Sequence, residues 1–461
     1  MSIKNFKKKF LPIAVVSTVV LAGFGITGMF PTVEAKGKVQ QTKKVKNVIF
    51  LIGDGMGVPY TSAYRSFKDN PKTKFVEPTA FDPYLVGMQM TYPEDASQNI
   101  TDSASAATAM AAGIKTYNNA IAIDNDGSEV KTVLEAAKEK GKATGLVATS
   151  EITHATPAAY GAHDISRKNM NAIADDYYDD LIKGQHKIDV LLGGGTDLFI
   201  RQNRNLVKEF QKDGFKYVTN RNELLKLKSG KALGLFAPAG MPKMVDRDKD
   251  VPSLEEMTKS AINLLKQDKD GFFLMVEGSQ IDWAGHDNDI VGAMSEMEDF
   301  EKTFQAVIDF AKKDKNTLVV VTADHSTGGF TIGANGANSW LPEPIKAAKK
   351  SPDYMADLIA NGANVEETLK KYIDLDLKVE EIQAVKDAAD QKDYTEIDNA
   401  IENIFNKRSN TGWTTGGHTG DDVPVYAYGP SSSRFAGQLD NTDHAEIIFD
   451  LLNAKVKITD K

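Results

Sequence analysis

The chain has 461 residues, 41% hydrophobic and 26% charged, which suits a globular protein with a large core and excludes a disordered or polytopic membrane chain. Its net charge is -9 and its basic clusters, KNFKKK and KGKVQQTKKVK, sit at the start, so a nucleic-acid partner is not expected. There is no cysteine, which removes disulfides, thiolate metal sites and thiol nucleophiles together.

In chain order, Lys4, Lys7, Lys8 and Lys9 precede the apolar run FLPIAVVSTVVLAGFGITGMF, and Val33, Glu34 and Ala35 offer an A-x-A-like cleavage site. Residues 1–35 therefore read as a signal peptide. Pro12 and three interior glycines weigh against a membrane anchor, so no stable anchor is expected. A basic linker, 36–44, follows, and the expected location is extracellular, free or at the cell wall.

Residues 45–461 read as one catalytic domain. VIFLIGDG, ATGLVATS, IDVLLGGG, FFLMVEGS and TLVVVTADH alternate with amphipathic or Ala-rich stretches. That rhythm predicts an α/β fold with a mostly parallel central sheet and helices on both faces. Ligands in such sheets gather at the carboxyl ends of strands. From about 335 to 410 the rhythm breaks into charged segments of helical period, such as VEETLKKYIDLDL and YTEIDNAIENIF, read as a helical insertion. Its charge is that of a solvated helix face, with a lid or an interface as the sharper alternative.

Several motifs follow these strands. GDGMG lacks the last glycine of a dinucleotide loop, because Val58 stands there, and Asp54 within it can bridge two cations. In TDSASAATAMAAG, Thr101 and Asp102 can cap a helix that Gly113 ends, which places Ser103 at a helix N-terminus, either as a plain capping serine or facing a phosphate. Asp282 with His286, and Asp324 with His325, repeat one Asp/His pairing, which suggests two metal ions of the zinc type and a metallohydrolase. His418 lies among glycines that free the backbone to aim an imidazole, whereas His163, His186 and His444 read as ordinary histidines. Arg167, shortly after His154, can grip two phosphoryl oxygens or make a surface ion pair. The chain has no G-x-S-x-G elbow, so a serine nucleophile would need a metal to activate it.

Taken together, IGDGMG, TDSASAATAM, THATPAAYGAHDISR, MVEGSQIDWAGH, VTADHSTGG and TGGHTGDDVPVYAYG resemble the alkaline phosphatases, specifically the secreted Gram-positive type, in family order across nearly the whole mature chain. The resemblance implies hydrolysis of small phosphate monoesters through a phosphoserine on Ser103, with Arg167 as the phosphate clamp. It implies two Zn2+, one held by Asp282, His286 and His418 and the other by Asp324, His325 and Asp54. A third cation, Mg2+ in most of the family, would be held by Asp54, Thr156 and Glu277. His154 and Trp283 stand where the enterobacterial form has aspartate and lysine, so His154 is expected near the third cation, making Co2+ or Zn2+ acceptable there. Homodimers are common in the family. The alternatives are a phosphodiesterase or nucleotide pyrophosphatase on the same core, and an exported phosphate- or metal-binding protein that does not turn over.

Overall fold

Every residue of the first strand, β1 (Asn47–Gly53), is buried, so its sequence NVIFLIG has no polar face to show. In the computed structural model, which describes residues 45–455, Ile49 and Leu51 enter one hydrophobic cluster while Val48, Phe50 and Ile52 enter another. A continuous apolar run specifies such a strand, covered on both faces. The expected signal peptide, 1–35, and basic linker, 36–44, lie outside the described residues.

The other strands of the main sheet are β2 (Leu85–Met90), β3 (Ala143–Glu151), β4 (Val190–Gly194), β5 (Lys216–Val218), β6 (Ala232–Leu235), β7 (Phe272–Gly278), β8 (Thr317–Thr322), β9 (Val423–Tyr428) and β10 (Gly437–Asp440). They form a ten-stranded sheet in the order β10-β2-β9-β8-β1-β7-β3-β4-β6-β5. All pairings are parallel except the two made by β9, so β9 alone runs against the rest. Register aligns the functional ends: Ile52 lies opposite Thr322 on one side and Glu277 on the other, and Glu277 lies opposite Ala148. The carboxyl ends of β8, β1, β7 and β3 thus form one contiguous edge.

One face of the sheet is covered by the helices Leu254–Leu265 and Ile290–Asp314, which contribute Met257, Ala261, Phe300 and Val307 to its core. The other face carries Ser103–Ala112, Val133–Glu139 and Asn441–Leu451, which contribute Met110, Leu134 and Ile448. Between the paired short strands Thr331–Ile332 and Thr411–Gly412 lie five helices, from Glu343–Lys346 to Tyr394–Ser409. Their apolar residues, among them Met355, Leu369 and Phe405, join the first core, and exposed pairs such as Glu366 with Lys370 line their outer side. Among the described residues no helix is long and apolar enough to cross a membrane.

Two phenylalanines test this layering. Phe50 is fully buried in a central strand, whereas Phe75 is 75% exposed. Phe50→Ala should cost about 3–5 kcal/mol, and Phe75→Ala about 0.5 kcal/mol or less, measured by denaturant unfolding at fixed metal concentration.

Candidate active site

Ser103 opens the helix Ser103–Ala112, and the sequence sets both ends of that helix. The Asp102 side chain accepts from Ser105 N at 3.0 Å at the start, and Gly113, at φ 76°, ends it by donating its N–H to Ala109 O. The amino end of this helix thus lies at the Ser103 hydroxyl, where the helix dipole favours an anion. Ser103 Oγ lies 3.2 Å from His325 Nε2. Arg167 reaches the same place: its Nη1 donates to Asp102 Oδ2 at 3.1 Å, and its Nη2 donates to His154 Nε2 at 3.1 Å.

Around Ser103 three sets of side chains each bring ligand atoms within 4.8 Å of one another: Asp282, His286 and His418; Asp54, Asp324 and His325; and Asp54, His154 and Glu277. Asp54 belongs to two of them, at the tip of β1 where its carboxylate reaches both neighbours. Asp282 and His286 lie four apart on the helix Gln280–Asp287, and so on one side of it. The sets lie at different depths. Asp54, Asp324 and His325 side chains are fully buried, whereas His286 is 38% exposed.

The histidine tautomers follow from their outer partners. His286 Nδ1 donates to Gly416 O at 2.6 Å and His418 Nδ1 donates to Thr101 O at 2.9 Å, since carbonyls only accept. The two Nε2 atoms face each other at 3.1 Å. Against the effect of burial, Asp282 Oδ2, 3.3 Å from His286 Nε2, pushes His286 up to about 9, so without a cation that nitrogen holds a proton that a cation would displace. Thr327 links two of the sets: its hydroxyl donates to Asp282 Oδ1 at 2.5 Å and accepts from His325 Nδ1 at 3.2 Å, which bares His325 Nε2. Converging lone pairs of this kind repel one another and suit a cation.

The buried oxygens lead to the same requirement. Both carboxylate oxygens of Asp54, together with Glu277 Oε1, Asp324 Oδ2, Thr156 Oγ1 and Thr153 Oγ1, are buried without a hydrogen-bond partner. Such groups are costly unless something charged meets them. Burial, then the charges of Asp282, Asp324 and Glu277, pushes the Asp54 carboxyl well above its ordinary range. Burial likewise pushes Glu277 to about 7 and Asp324 to about 6. For Asp282 burial acts in the same direction, but His286, His325 and His418 outweigh it and hold the group below the usual range. Burial and the Arg167 guanidinium push His154 down to about 3, so its imidazole is neutral. The donor set of imidazoles, carboxylates and a threonine hydroxyl therefore fits divalent cations in all three places.

All eleven residues singled out in the sequence lie on this edge. His163, His186 and His444 do not: they bond to Glu135, Asp213 and Gln89 respectively. Trp283 packs edge-on to His154 with ring centroids 5.7 Å apart. The sequence reading missed the ion pair of Asp102 with Arg167, since Asp102 read only as a cap, and it missed Thr327, for which a threonine two residues beyond a histidine is no signal.

Comparison with known proteins shows the family of the chain. A family model for alkaline phosphatase matches residues 45–454. The chain is 68% identical to alkaline phosphatase 3 of Bacillus subtilis, over 99% of this chain and 100% of the relative, and 57% identical to alkaline phosphatase 4 of the same organism, over 97% and 98%. A solved structure, the cold-active alkaline phosphatase of a psychrophilic Shewanella, superposes with a TM-score of 0.83 at 42% identity, covering 88% of this chain and 99% of that one. A histidine-to-glutamate variant of the TAB5 alkaline phosphatase, described with magnesium in its M3 site, gives 0.66 at 32% identity, covering 90% and 100%. With matches that run the length of the described fold, the chain belongs to the alkaline phosphatase family, whose members are metal-dependent phosphomonoesterases.

Proposed function

We propose that the protein hydrolyses small phosphate monoesters by transferring the phosphoryl group to Ser103 and then to water. The observation that carries this reading is the placement of one buried hydroxyl, Ser103 Oγ, at a helix N-terminus between the Arg167 guanidinium and the three ligand sets. Asp282, His286 and His418 would hold one zinc, and Asp54, Asp324 and His325 a second. Asp54, Thr156, Glu277 and His154 would hold a third cation, magnesium or, given the imidazole, cobalt or zinc. Bound there, divalent cations supply Lewis acidity, lowering the pKa of hydroxyl groups and neutralising phosphoryl charge.

The side chains then have distinct tasks. Ser103 Oγ loses its proton to solvent and attacks phosphorus in line; the ester P–O bond breaks and the alcohol departs, taking up a proton. Arg167 faces the equatorial oxygens with two N–H groups, and Asp102 keeps the guanidinium turned toward Ser103. A water molecule next attacks the phosphoserine from the side the alcohol vacated, which is the more open side of His286 and His418. Ser103 Oγ leaves and regains the proton that the attacking water gives up, by way of solvent, and two inversions give net retention at phosphorus. A diester would place a carbon substituent on an oxygen that Arg167 grips, which disfavours the diesterase alternative. Export through the amino-terminal signal and a homodimeric state complete the proposal.

Three outcomes are expected. Ser103→Ala should abolish the phosphoenzyme trapped by acid quench with labelled substrate and lower kcat by about a thousandfold or more; a phosphoenzyme surviving in that variant would remove Ser103 from its role. Arg167→Ala should lower kcat/KM for p-nitrophenyl phosphate by about 10- to 100-fold, the worth of a charged hydrogen-bond pair, and change bis-p-nitrophenyl phosphate turnover less. Protons and cations compete for Asp54, Asp324 and Glu277, and the latter two take up protons as pH falls through about 7 and 6. Against the effect of burial, Asp282 pushes His286 up to about 9. Metal affinity should therefore be full only above pH about 9, decline as pH falls through about 9 and 7, and fall steeply below pH about 6, read as metal released to a chelator across the pH range.

A further inference from the structure

The helical insertion meets the His286 end of the site at Asn406. This residue lies on the insertion's last helix, Tyr394–Ser409. Asn406 Nδ2 donates to Asn288 O at 2.9 Å, while Asn406 Oδ1 accepts from Trp413 Nε1 at 3.0 Å. Both amide ends are thus engaged, each by a different part of the site's frame.

Asn288 caps the helix that carries Asp282 and His286. It sits in the left-handed region at φ 59°, and its Nδ2 donates to Gly285 O at 2.9 Å and to Thr415 O at 3.0 Å. Thr415 directly precedes Gly416, whose carbonyl accepts from His286 Nδ1 and so fixes the tautomer and the direction of that ring. Trp413 begins the same segment, which leads to His418. Its ring stacks on Phe330 at 4.7 Å and leaves no room for a side chain at Gly328, where a Cβ would stand 2.5 Å from the indole. Asn406 therefore ties together the two strips of chain that bring His286 and His418 to one point. Lys243 adds a second tie nearby, pairing with Asp287 and Asp289 just beyond His286 and with Asp353 of the insertion.

We propose that the insertion is a brace for the Asp282, His286 and His418 cation, and that Asn406 is the positioning residue through which it acts. The inference rests on the reading that these three residues hold a cation. Holding both strips fixed keeps the two Nε2 atoms converged before the ion arrives, and loosening outer partners of metal-ligating histidines typically costs about 10- to 100-fold in metal affinity. The deeper set of Asp54, Asp324 and His325 makes no hydrogen bond to Asn406, and it meets the second strip only where His325 stacks on His418 and Thr327 pairs with it, so its affinity should change less.

Two substitutions separate the halves of the amide. Asn406→Asp keeps an acceptor for Trp413 but cannot donate to Asn288 O, and Asn406→Leu removes both bonds at similar volume. The test is zinc titration of the metal-free full chain against a chromophoric chelator, with His286→Ala as reference and thermal unfolding of each metal-free protein alongside. The expected result is that His286→Ala loses one zinc equivalent and that Asn406→Leu weakens that same equivalent by about tenfold or more, with the other equivalents weakened clearly less and the melting temperature of the metal-free protein unchanged. Asn406→Asp should fall between wild type and Asn406→Leu. If His286→Ala loses one equivalent while both Asn406 variants bind zinc like wild type, the brace is overturned and the site assignment stands. If every equivalent weakens together with the melting temperature, Asn406 is a general structural residue and the proposal also fails. If His286→Ala loses no equivalent, the assignment of the cation itself fails.

Discussion

Four carboxylates, Asp54, Glu277, Asp282 and Asp324, are buried together at the end of the sheet, and the rest of the molecule is arranged around that unbalanced charge. Like charges withdrawn from water repel strongly, and each would take up a proton if nothing positive met it. Only Asp282 is met by the protein's own groups, the histidines that hold it, against burial, below the usual range; Arg167 is engaged with Asp102 and His154, and Asp54, Glu277 and Asp324 have no such partner. Divalent cations are what such a cage is built to attract, and phosphoryl oxygens are what the cations then attract in turn.

The parallel sheet makes the cage feasible. Four adjacent strands ending on one edge deliver Asp54, Glu277, Asp324 and the Thr153 turn from points far apart in sequence, with a register that holds Ile52 level with both Glu277 and Thr322. Strands sealed on both faces cannot shift to relieve the repulsion at their tips, because sliding β1 by one residue would exchange Ile49 and Leu51 with Phe50 and Ile52 between two filled cores. Hydrophobic packing thus holds the carboxylates in place against their mutual repulsion.

What the sequence revealed follows the range of the interactions. Buried strands leave a continuous apolar signature, as VIFLIG and TLVVVT do, and the helix cap at Asp102 with the stop at Gly113 is written within twelve residues. Pairs set by one helical turn or by adjacency, Asp282 with His286 and Asp324 with His325, are legible on the same ground. Nothing local joins His418 to His286, or Asp102 to Arg167, because the fold alone brings them together. The motif series supplied that link for residues inside it. Asn406 and Asn288 fell outside the reach of either signal: an asparagine on a charged helix reads as solvated surface, and only the structure places its amide between Asn288 and Trp413.

The absence of cysteine gives the metals a second role. A chain without disulfides gains no cross-link stabilisation, so its stability rests on its hydrophobic cores and on whatever binds the native state alone. Cations that bind only the folded cage stabilise by mass action, by about 2.7 kcal/mol for each site held at a hundred times its dissociation constant. They also remove the repulsion among Asp54, Asp324 and Glu277 that the metal-free fold must bear. On the proposed function, activity and persistence would be linked through the same side chains, and losing a cation would expose the chain to unfolding as well as idle the site. That linkage would give a physical reason for the insertion to brace His286, the most exposed of the proposed ligands, because an ion there would be the first that solvent and competing chelators reach.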